Sequence, residues 1–119
     1  MSEPASQPMD LGALQRRVAA LLAPVAHPRV GAALALAEEA GEVCKLVLER
    51  ECYGAAPAPE QLAGELADVV VCAAELATRY GVDLDAACRA KLEDLGRRVP
   101  GWSEKLGPAL ARARERMDG

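Results

Sequence analysis

The apolar positions of this 119-residue chain recur at helical rather than strand spacing. Apolar residues three and four apart predict a first helix over about Asp10–Ala23, with Asp10 as its N-cap, and a second over about Val30–Tyr53. Pro24 and Pro28 bound the short loop between them, because proline cannot continue a helix. Gly54 ends the second helix, since glycine tolerates the left-handed conformation that often follows a helix.

The second half of the chain continues the helical pattern. After a turn at Ala55–Pro59, a third helix is predicted over Pro59–Tyr80, where Gly81 ends it. A fourth is predicted over Leu84–Val99 and is closed by Pro100. A last polar helix is predicted over Pro108–Met117. No segment alternates as a strand would, so the expected class is all-α, a four-helix bundle with a C-terminal helical extension. The corresponding division is a disordered N-terminus at 1–9, a helical domain at 10–100 and a helical tail at 101–119.

Composition and charge exclude some classes of function. Hydrophobic residues make up 51% of the chain but only 3% are aromatic, which favours packed helices. The net charge of −4 argues against nonspecific binding to nucleic acid or to anionic membranes. No uncharged apolar run reaches the length of a membrane span, and the N-terminus lacks the pattern of a signal peptide. We therefore expect a cytoplasmic protein, and its small size favours oligomerisation.

The four cysteines show no Cys-x-x-Cys spacing and fall in predicted helices. They are Cys44, Cys52, Cys72 and Cys88. The sequence therefore predicts reduced, mostly buried thiols rather than disulfides or a zinc site.

Two apolar helices carry carboxylates beside their apolar faces. Glu38, Glu39 and Glu42 share one side of the second helix, because successive residues are about 100° apart. On the third helix, Glu65 and Asp68 are three residues apart. Glu65 lies at the edge of the predicted core face of this helix, which comprises Leu62, Leu66, Val69, Ala73, Leu76 and Tyr80. An ionised carboxylate near a core is costly unless it is paired or binds a metal. We therefore expect a divalent cation between the two helices.

The available donors restrict the kind of cation. Carboxylate oxygens dominate, and the single histidine, His27, lies in a loop, so Mg²⁺ is expected, with Mn²⁺ as the alternative. The Glu-x-x-His pairs of a di-iron bundle are absent. Because Mg²⁺ sites usually keep positions open for phosphate oxygens, the expected substrate carries phosphate. The competing interpretation is a pair of solvated helix faces with ion pairs such as Glu42–Lys45. Glu49 and Glu75 are expected to belong to such solvated faces.

Basic side chains supply candidate contacts to such a substrate. Lys91 projects from the apolar face of the fourth helix, and Arg98 follows seven residues later on the same side. Both suit a phosphate or carboxylate partner. An equally good explanation of Lys91 is that its aliphatic chain lies along the core and its amino group pairs with an acid at the edge of the core. His27 and Arg29, just before the second helix, are candidate contacts to phosphate or base, with an ordinary loop role as the alternative.

Together, four segments resemble the MazG-like all-α nucleoside triphosphate pyrophosphohydrolases, which are relatives of the dimeric dUTPases and dCTP pyrophosphatases. The segments are Leu34–Val43, Glu65–Val70, Gly81–Leu84 and Lys91–Pro100, and the resemblance covers about residues 30–100. It implies a homodimer or homotetramer that hydrolyses a (deoxy)nucleoside triphosphate to the monophosphate and pyrophosphate.

The resemblance also implies roles for individual residues. The implied Mg²⁺ ligands are Glu39, Glu42, Glu65 and Asp68. Glu38 stands where some members have glycine, and its implied role beside Glu39 in catalysis is to orient the attacking water or to bind a second metal.

Two alternatives stay open. Phosphoribosyl-ATP pyrophosphatases of histidine biosynthesis share a similar Glu-Glu-Ala-x-Glu-Val motif. The other alternative is a non-catalytic helical dimerisation module that keeps the acids but has lost its substrate pocket. Leu95 and Val99 support it, because the dCTP-type relatives have Asn and Tyr at these positions.

Overall fold

A computed structural model describes residues 8–54 and 58–119 of the chain, and these residues are all-α with no strand. The helices are α1 (Leu11–Leu22), α2 (Arg29–Cys52), α3 (Pro59–Arg79) and α4 (Leu84–Asp118), and a 3₁₀ turn (Ala23–Val25) follows α1. The predicted all-α class is confirmed, and the bounds of the first three helices agree with the prediction to within one residue. What the sequence predicts for residues 1–7 and for the turn at 55–57 lies outside the described residues.

Local sequence signals account for the ends of these helices. The Ala13 N–H donates to Asp10 Oδ1 at 2.7 Å, so Asp10 caps α1 as predicted. Pro59 occupies the first turn of α3, where its missing N–H costs nothing. Gly54 and Gly81 follow α2 and α3 with φ of 72° and 67°, a left-handed conformation that glycine adopts without steric cost.

The long α4 differs from the prediction. The break at Pro100 and the separate helix from Pro108 are wrong, because α4 continues through both prolines to Asp118. Each proline removes one backbone hydrogen bond, which leaves the carbonyls of Gly96 and Glu104 without their usual donors. Both residues are exposed, so water can hydrogen-bond to these carbonyls.

The chain divides into two units, Met1–Asp85 and Ala86–Gly119. In the first unit, α3 packs against both α1 and α2. The buried apolar residues of the described chain are small: Val18 (5% exposed), Ala32 (0%), Ala74 (0%) and Ala77 (7%). Because these side chains are short, the helix backbones can approach each other closely.

The face that α3 buries is not the predicted one. Leucine and tyrosine positions suggested a core stripe at Leu62, Leu66, Val69, Ala73, Leu76 and Tyr80. Instead α3 buries Ala74, Glu75 and Ala77, while Leu66 is 47% and Tyr80 60% exposed. Close packing of neighbouring helices selects the alanine face, and the larger side chains lie at its margins.

A glutamine of α1 holds the turn that leads into α4. Gln15 Nε2 donates to the Val82 carbonyl at 2.7 Å, and Gln15 Oε1 accepts from the Leu84 N–H at 3.0 Å. The second bond satisfies one of the N–H groups that a helix start leaves unpaired. The start of α4 is therefore tied to α1 by one side chain.

The four cysteines and the test for a membrane-spanning helix bear on two of the sequence-based expectations. All four cysteines are free, but none is buried, so their expected burial is wrong. Among the described residues no single helix is long and apolar enough to cross a membrane, although Leu11–Val25 and Arg29–Cys52, bent by 114°, pass that test as a pair by length and composition only.

We expect Ala32→Leu to destabilise the protein, because Ala32 is wholly buried and a leucine there overpacks the helix interface. The free energy of unfolding should fall by about 1–3 kcal/mol, measured by urea denaturation. Ala33→Leu is the matched control, since Ala33 is exposed on the same helix. Equal denaturation midpoints for the two variants would contradict the close packing.

Candidate metal centre

Helices α2 and α3 bring three carboxylates together. One side-chain oxygen from each of Glu39, Glu65 and Asp68 lies within 4.8 Å of the other two. Glu65 and Asp68 are one turn apart on α3, and Glu39 meets them from α2. Glu39 and Glu65 are half-buried and Asp68 is exposed, so the cluster lies at the edge of the helix interface and opens to solvent.

The cluster favours an added positive charge. The pKa of Glu39 is raised, first by desolvation and then by the negative charges of Asp68 and Glu65. A side-chain hydrogen bond to Glu65 and the charge of Glu38 raise this pKa further. The raised pKa shows that negative charge is crowded at Glu39, and a divalent ion bound at the cluster would relieve this repulsion.

The donor set fits a hard cation. All three groups are carboxylates, the ligands that Mg²⁺ and Mn²⁺ prefer. Oxygens bound to one Mg²⁺ at about 2.1 Å lie at most about 4.2 Å apart. Small side-chain rotations would therefore bring the three oxygens from their present spacing into coordination distance.

Two acids of the motif lie outside this three-residue cluster. Glu42, an implied ligand, and Glu38, the implied helper, are both exposed on α2. Glu38 is still close enough for its charge to raise the pKa of Glu39. The structure thus brings together three of the four implied ligands, with Glu38 nearby.

The two loop candidates already have partners. His27 Nδ1 lies 2.8 Å from Glu75 Oε1, and the Arg29 guanidinium lies over the Tyr80 ring, 5.6 Å from its centroid. Each contact joins the start of α2 to the end of α3. Because Glu39 meets Glu65 and Asp68 further along, residue numbers rise on one helix as they fall on the other, and the two helices are antiparallel.

The two basic candidates of the fourth helix belong to the second unit. Lys91 is exposed on α4. Arg98 Nη1 lies 3.3 Å from Asp94 Oδ2, and the Arg98 guanidinium lies 5.3 Å from the centroid of the Trp102 ring. Arg98 is therefore held in place within its own helix.

Glu75 is the residue that sequence reasoning misplaced. The sequence pattern suggested a solvated glutamate, but Glu75 is 7% exposed, the one buried charged side chain among the described residues. A signal was present in the sequence, because Glu75 stands among three alanines, Ala73, Ala74 and Ala77, whose small side chains suit close helix packing.

Cys72 lies between the acidic cluster and Glu75 on α3. The pKa of its thiol is raised, mainly by burial and then by the charges of Glu39 and Glu75, with smaller contributions from Asp68 and Glu38. A raised pKa keeps the thiol protonated, so Cys72 is unsuited to act as a nucleophile or a metal ligand.

Comparison with known protein families relates the chain to a family of enzymes. The MazG nucleotide pyrophosphohydrolase domain family matches residues 31–102, more than half of the chain, and this segment contains Glu39, Glu65 and Asp68. No curated protein and no solved structure matches the chain significantly.

We expect Glu39→Gln to raise the melting temperature of the metal-free protein and to reduce the further rise that Mg²⁺ produces. The substitution removes one of the repelling charges but also one ligand of the ion. Differential scanning fluorimetry in EDTA and in Mg²⁺ measures both effects.

The control is Glu60→Gln, at an exposed position in the first turn of α3. There a carboxylate complements the helix N-terminus, so its removal should not raise the melting temperature. A Mg²⁺ response in Glu39→Gln as large as that of the unsubstituted protein would contradict the assignment.

Proposed function

The chain belongs to the MazG nucleotide pyrophosphohydrolase family, and we propose from this that it hydrolyses a (deoxy)nucleoside triphosphate, with Mg²⁺, to the nucleoside monophosphate and pyrophosphate. The observation that supports the proposal is the convergence of Glu39, Glu65 and Asp68 from two helices. Such a constellation is costly to fold without a cation, and a phosphate-bearing substrate is the usual partner of a carboxylate-held Mg²⁺.

In the proposed site, Glu39, Glu65 and Asp68 would hold the ion, and Glu42 would be a fourth ligand. When bound, Mg²⁺ neutralises phosphate oxygens and lowers the pKa of a coordinated water. Glu38 is exposed beside Glu39, where it would orient the attacking water and take up its proton.

The reaction needs positioning more than covalent chemistry from the protein. A water oxygen bonds to the α-phosphorus, the bond from that phosphorus to the bridging oxygen breaks, and pyrophosphate leaves with the bonding electrons. The carboxylates fix the geometry of these groups and compensate charge. Lys91 and Arg98 are proposed as cationic contacts to the triphosphate.

We also propose that the protein is a homodimer, or a dimer of such dimers. Large apolar side chains stand exposed along α1, the following turn and the start of α2: Leu21 (72%), Val25 (68%), Val30 (71%) and Leu34 (65%). Val30 and Leu34 are one turn apart on α2 and so lie on one face. A second copy of the chain would cover this surface.

The activity prediction uses pyrophosphate release from a panel of nucleoside triphosphates, modified nucleotides and phosphoribosyl-ATP. We expect hydrolysis in Mg²⁺, none in EDTA, and a kcat/KM at least about 100-fold lower for Glu39→Gln, because charge stabilisation of the transferring phosphate is lost. Glu60→Gln should keep the full rate.

The panel also separates the alternatives. Hydrolysis of phosphoribosyl-ATP alone would identify the histidine-biosynthesis enzyme. Metal-dependent stabilisation without hydrolysis of any substrate would indicate a non-catalytic module. Activity that survives both EDTA and Glu39→Gln would rule out the metal-dependent mechanism.

The dimer prediction concerns Leu34→Asp, which places a charge in the exposed apolar surface. We expect the unsubstituted protein to sediment as a dimer or tetramer at micromolar concentration and Leu34→Asp to sediment at a lower mass. Ala33→Asp makes the same charge change one residue away on α2, on a different helix face, and should preserve the assembly. A monomeric unsubstituted protein would contradict the proposal.

A further inference from the structure

The apolar residues of α4 form one long stripe within the second unit. The helix is 35 residues long, so it extends over about 52 Å. From Cys88 to Ala113, apolar residues recur at alternating intervals of four and three, the heptad spacing of a coiled coil. Between these two ends the stripe comprises Leu92, Leu95, Val99, Trp102, Leu106 and Ala109. The spacing predicts that α4 packs along its length against another helix.

Most of the large side chains in this stripe are exposed. Leu92, Val99, Trp102 and Leu106 all stand exposed, from 41% at Trp102 to 66% at Leu92, and Leu95 is half-buried. A continuous row of exposed apolar side chains marks a surface that another molecule covers. The stripe occupies two positions in each heptad, the narrow seam of a coiled coil rather than the wider face of other amphipathic helices.

Prolines and acids lie on the opposite side of α4. Pro100 and Pro108 stand about 120° and 160° around the helix from the centre of the stripe, since successive residues are about 100° apart. Glu93 and Glu104 share this side and are exposed. A proline ring bends a helix away from itself, and packed helices curve with their convex side toward solvent. The prolines therefore stand where a bend would curve the stripe around a partner helix.

The charges beside the stripe restrict the orientation of that partner. One flank is a basic row, each member directly before a residue of the stripe: Lys91, Arg98, Lys105 and Arg112. The other flank follows the stripe residues and has no acid: Arg89, Gly96, Ser103, Leu110 and Met117. In an antiparallel pair of identical helices each flank faces itself, so the two basic rows would repel each other. In a parallel pair each flank faces the other one, and the basic row meets Gly96, Ser103, Leu110 and Met117 without a like charge.

We infer that α4 pairs with α4 of a second copy of the chain as a parallel, in-register coiled coil whose seam is this stripe. A second copy offers a helix of the same length and heptad phase, and any shift in register would leave part of each stripe uncovered. Trp102 would meet its own copy across the seam, and Arg98, which lies over the Trp102 ring, would cover its margin. This contact is separate from the α1–α2 surface proposed above, and it does not depend on the proposed hydrolysis.

Tryptophan fluorescence tests the pairing in the full chain. Trp102 is the one tryptophan of the sequence, so its emission reports on the seam alone. We expect blue-shifted emission that is shielded from acrylamide at micromolar concentration, and a red shift on dilution as the helices separate. Leu106→Asp should raise the dissociation constant of the pair at least about 100-fold, because it buries an unpaired carboxylate in the seam. Ala111→Asp adds the same charge at an exposed position on the other side of α4 and should leave the dilution midpoint unchanged.

Disulfide cross-linking tests the orientation. The four native cysteines are free, and each is replaced by serine before Leu92→Cys or Leu106→Cys is introduced singly. Because a disulfide forms only between closely facing residues, each variant should oxidise to a covalent dimer on a non-reducing gel. Glu104→Cys, on the solvent side of α4, is the matched control and should not cross-link. Thermal melting verifies that each variant is folded.

The outcomes separate this contact from the dimer through the α1–α2 surface. Cross-linking through Leu92→Cys should persist when Leu34→Asp is added and should be lost when Leu106→Asp is added. Cross-linking only between the Leu92→Cys and Leu106→Cys variants in a mixture would indicate antiparallel helices and overturn the inference. A protein that sediments as a dimer, but neither cross-links through α4 nor changes its Trp102 emission on dilution, would overturn the inference and leave the other contact intact. A monomer at micromolar concentration would overturn both.

Discussion

The antiparallel packing of α2 against α3 is the constraint on which the rest of the first unit depends. The buried apolar residues of the described chain are three alanines and one valine, so the helices meet through short side chains. Helices that pack closely through small residues can shift little along each other, and this register determines which polar groups meet across the interface. With this register Glu39 meets Glu65 and Asp68 midway along α3, and His27 meets Glu75 near its end.

Features governed by a few neighbouring residues could be predicted from the sequence. The cap at Asp10 and the helix ends at Gly54 and Gly81 depend on local backbone geometry, and all three are confirmed. The proline rule is also local, but Pro100 and Pro108 lie on an exposed helix whose freed carbonyls water can reach, so the helix continues. The sequence does not show whether water can reach the helix at a proline. It therefore could not predict whether the helix ends or continues there.

The buried face of α3 could not be predicted in the same way. A leucine-rich stripe normally contributes the most apolar area, yet the neighbouring helices pack on Ala74 and Ala77 and leave Leu66 half exposed. Which face is buried depends on how closely its neighbours approach, and that is a property of the assembled helices. Glu75 was misplaced for this reason, whereas Glu39, Glu65 and Asp68 were found because the spacing of the acids on two helices is visible in the sequence.

The two carboxylate systems on α3 differ in how their negative charge is balanced. Near Asp68, three carboxylate oxygens lie within 4.8 Å of one another at an edge that opens to solvent, so an ion from solution can reach them. Glu75 is buried, and His27 Nδ1 lies 2.8 Å from one of its oxygens. The first system is therefore suited to bind a cation. The second joins the segment before α2 to α3, and so helps to fix the register that brings Glu39 to Glu65 and Asp68.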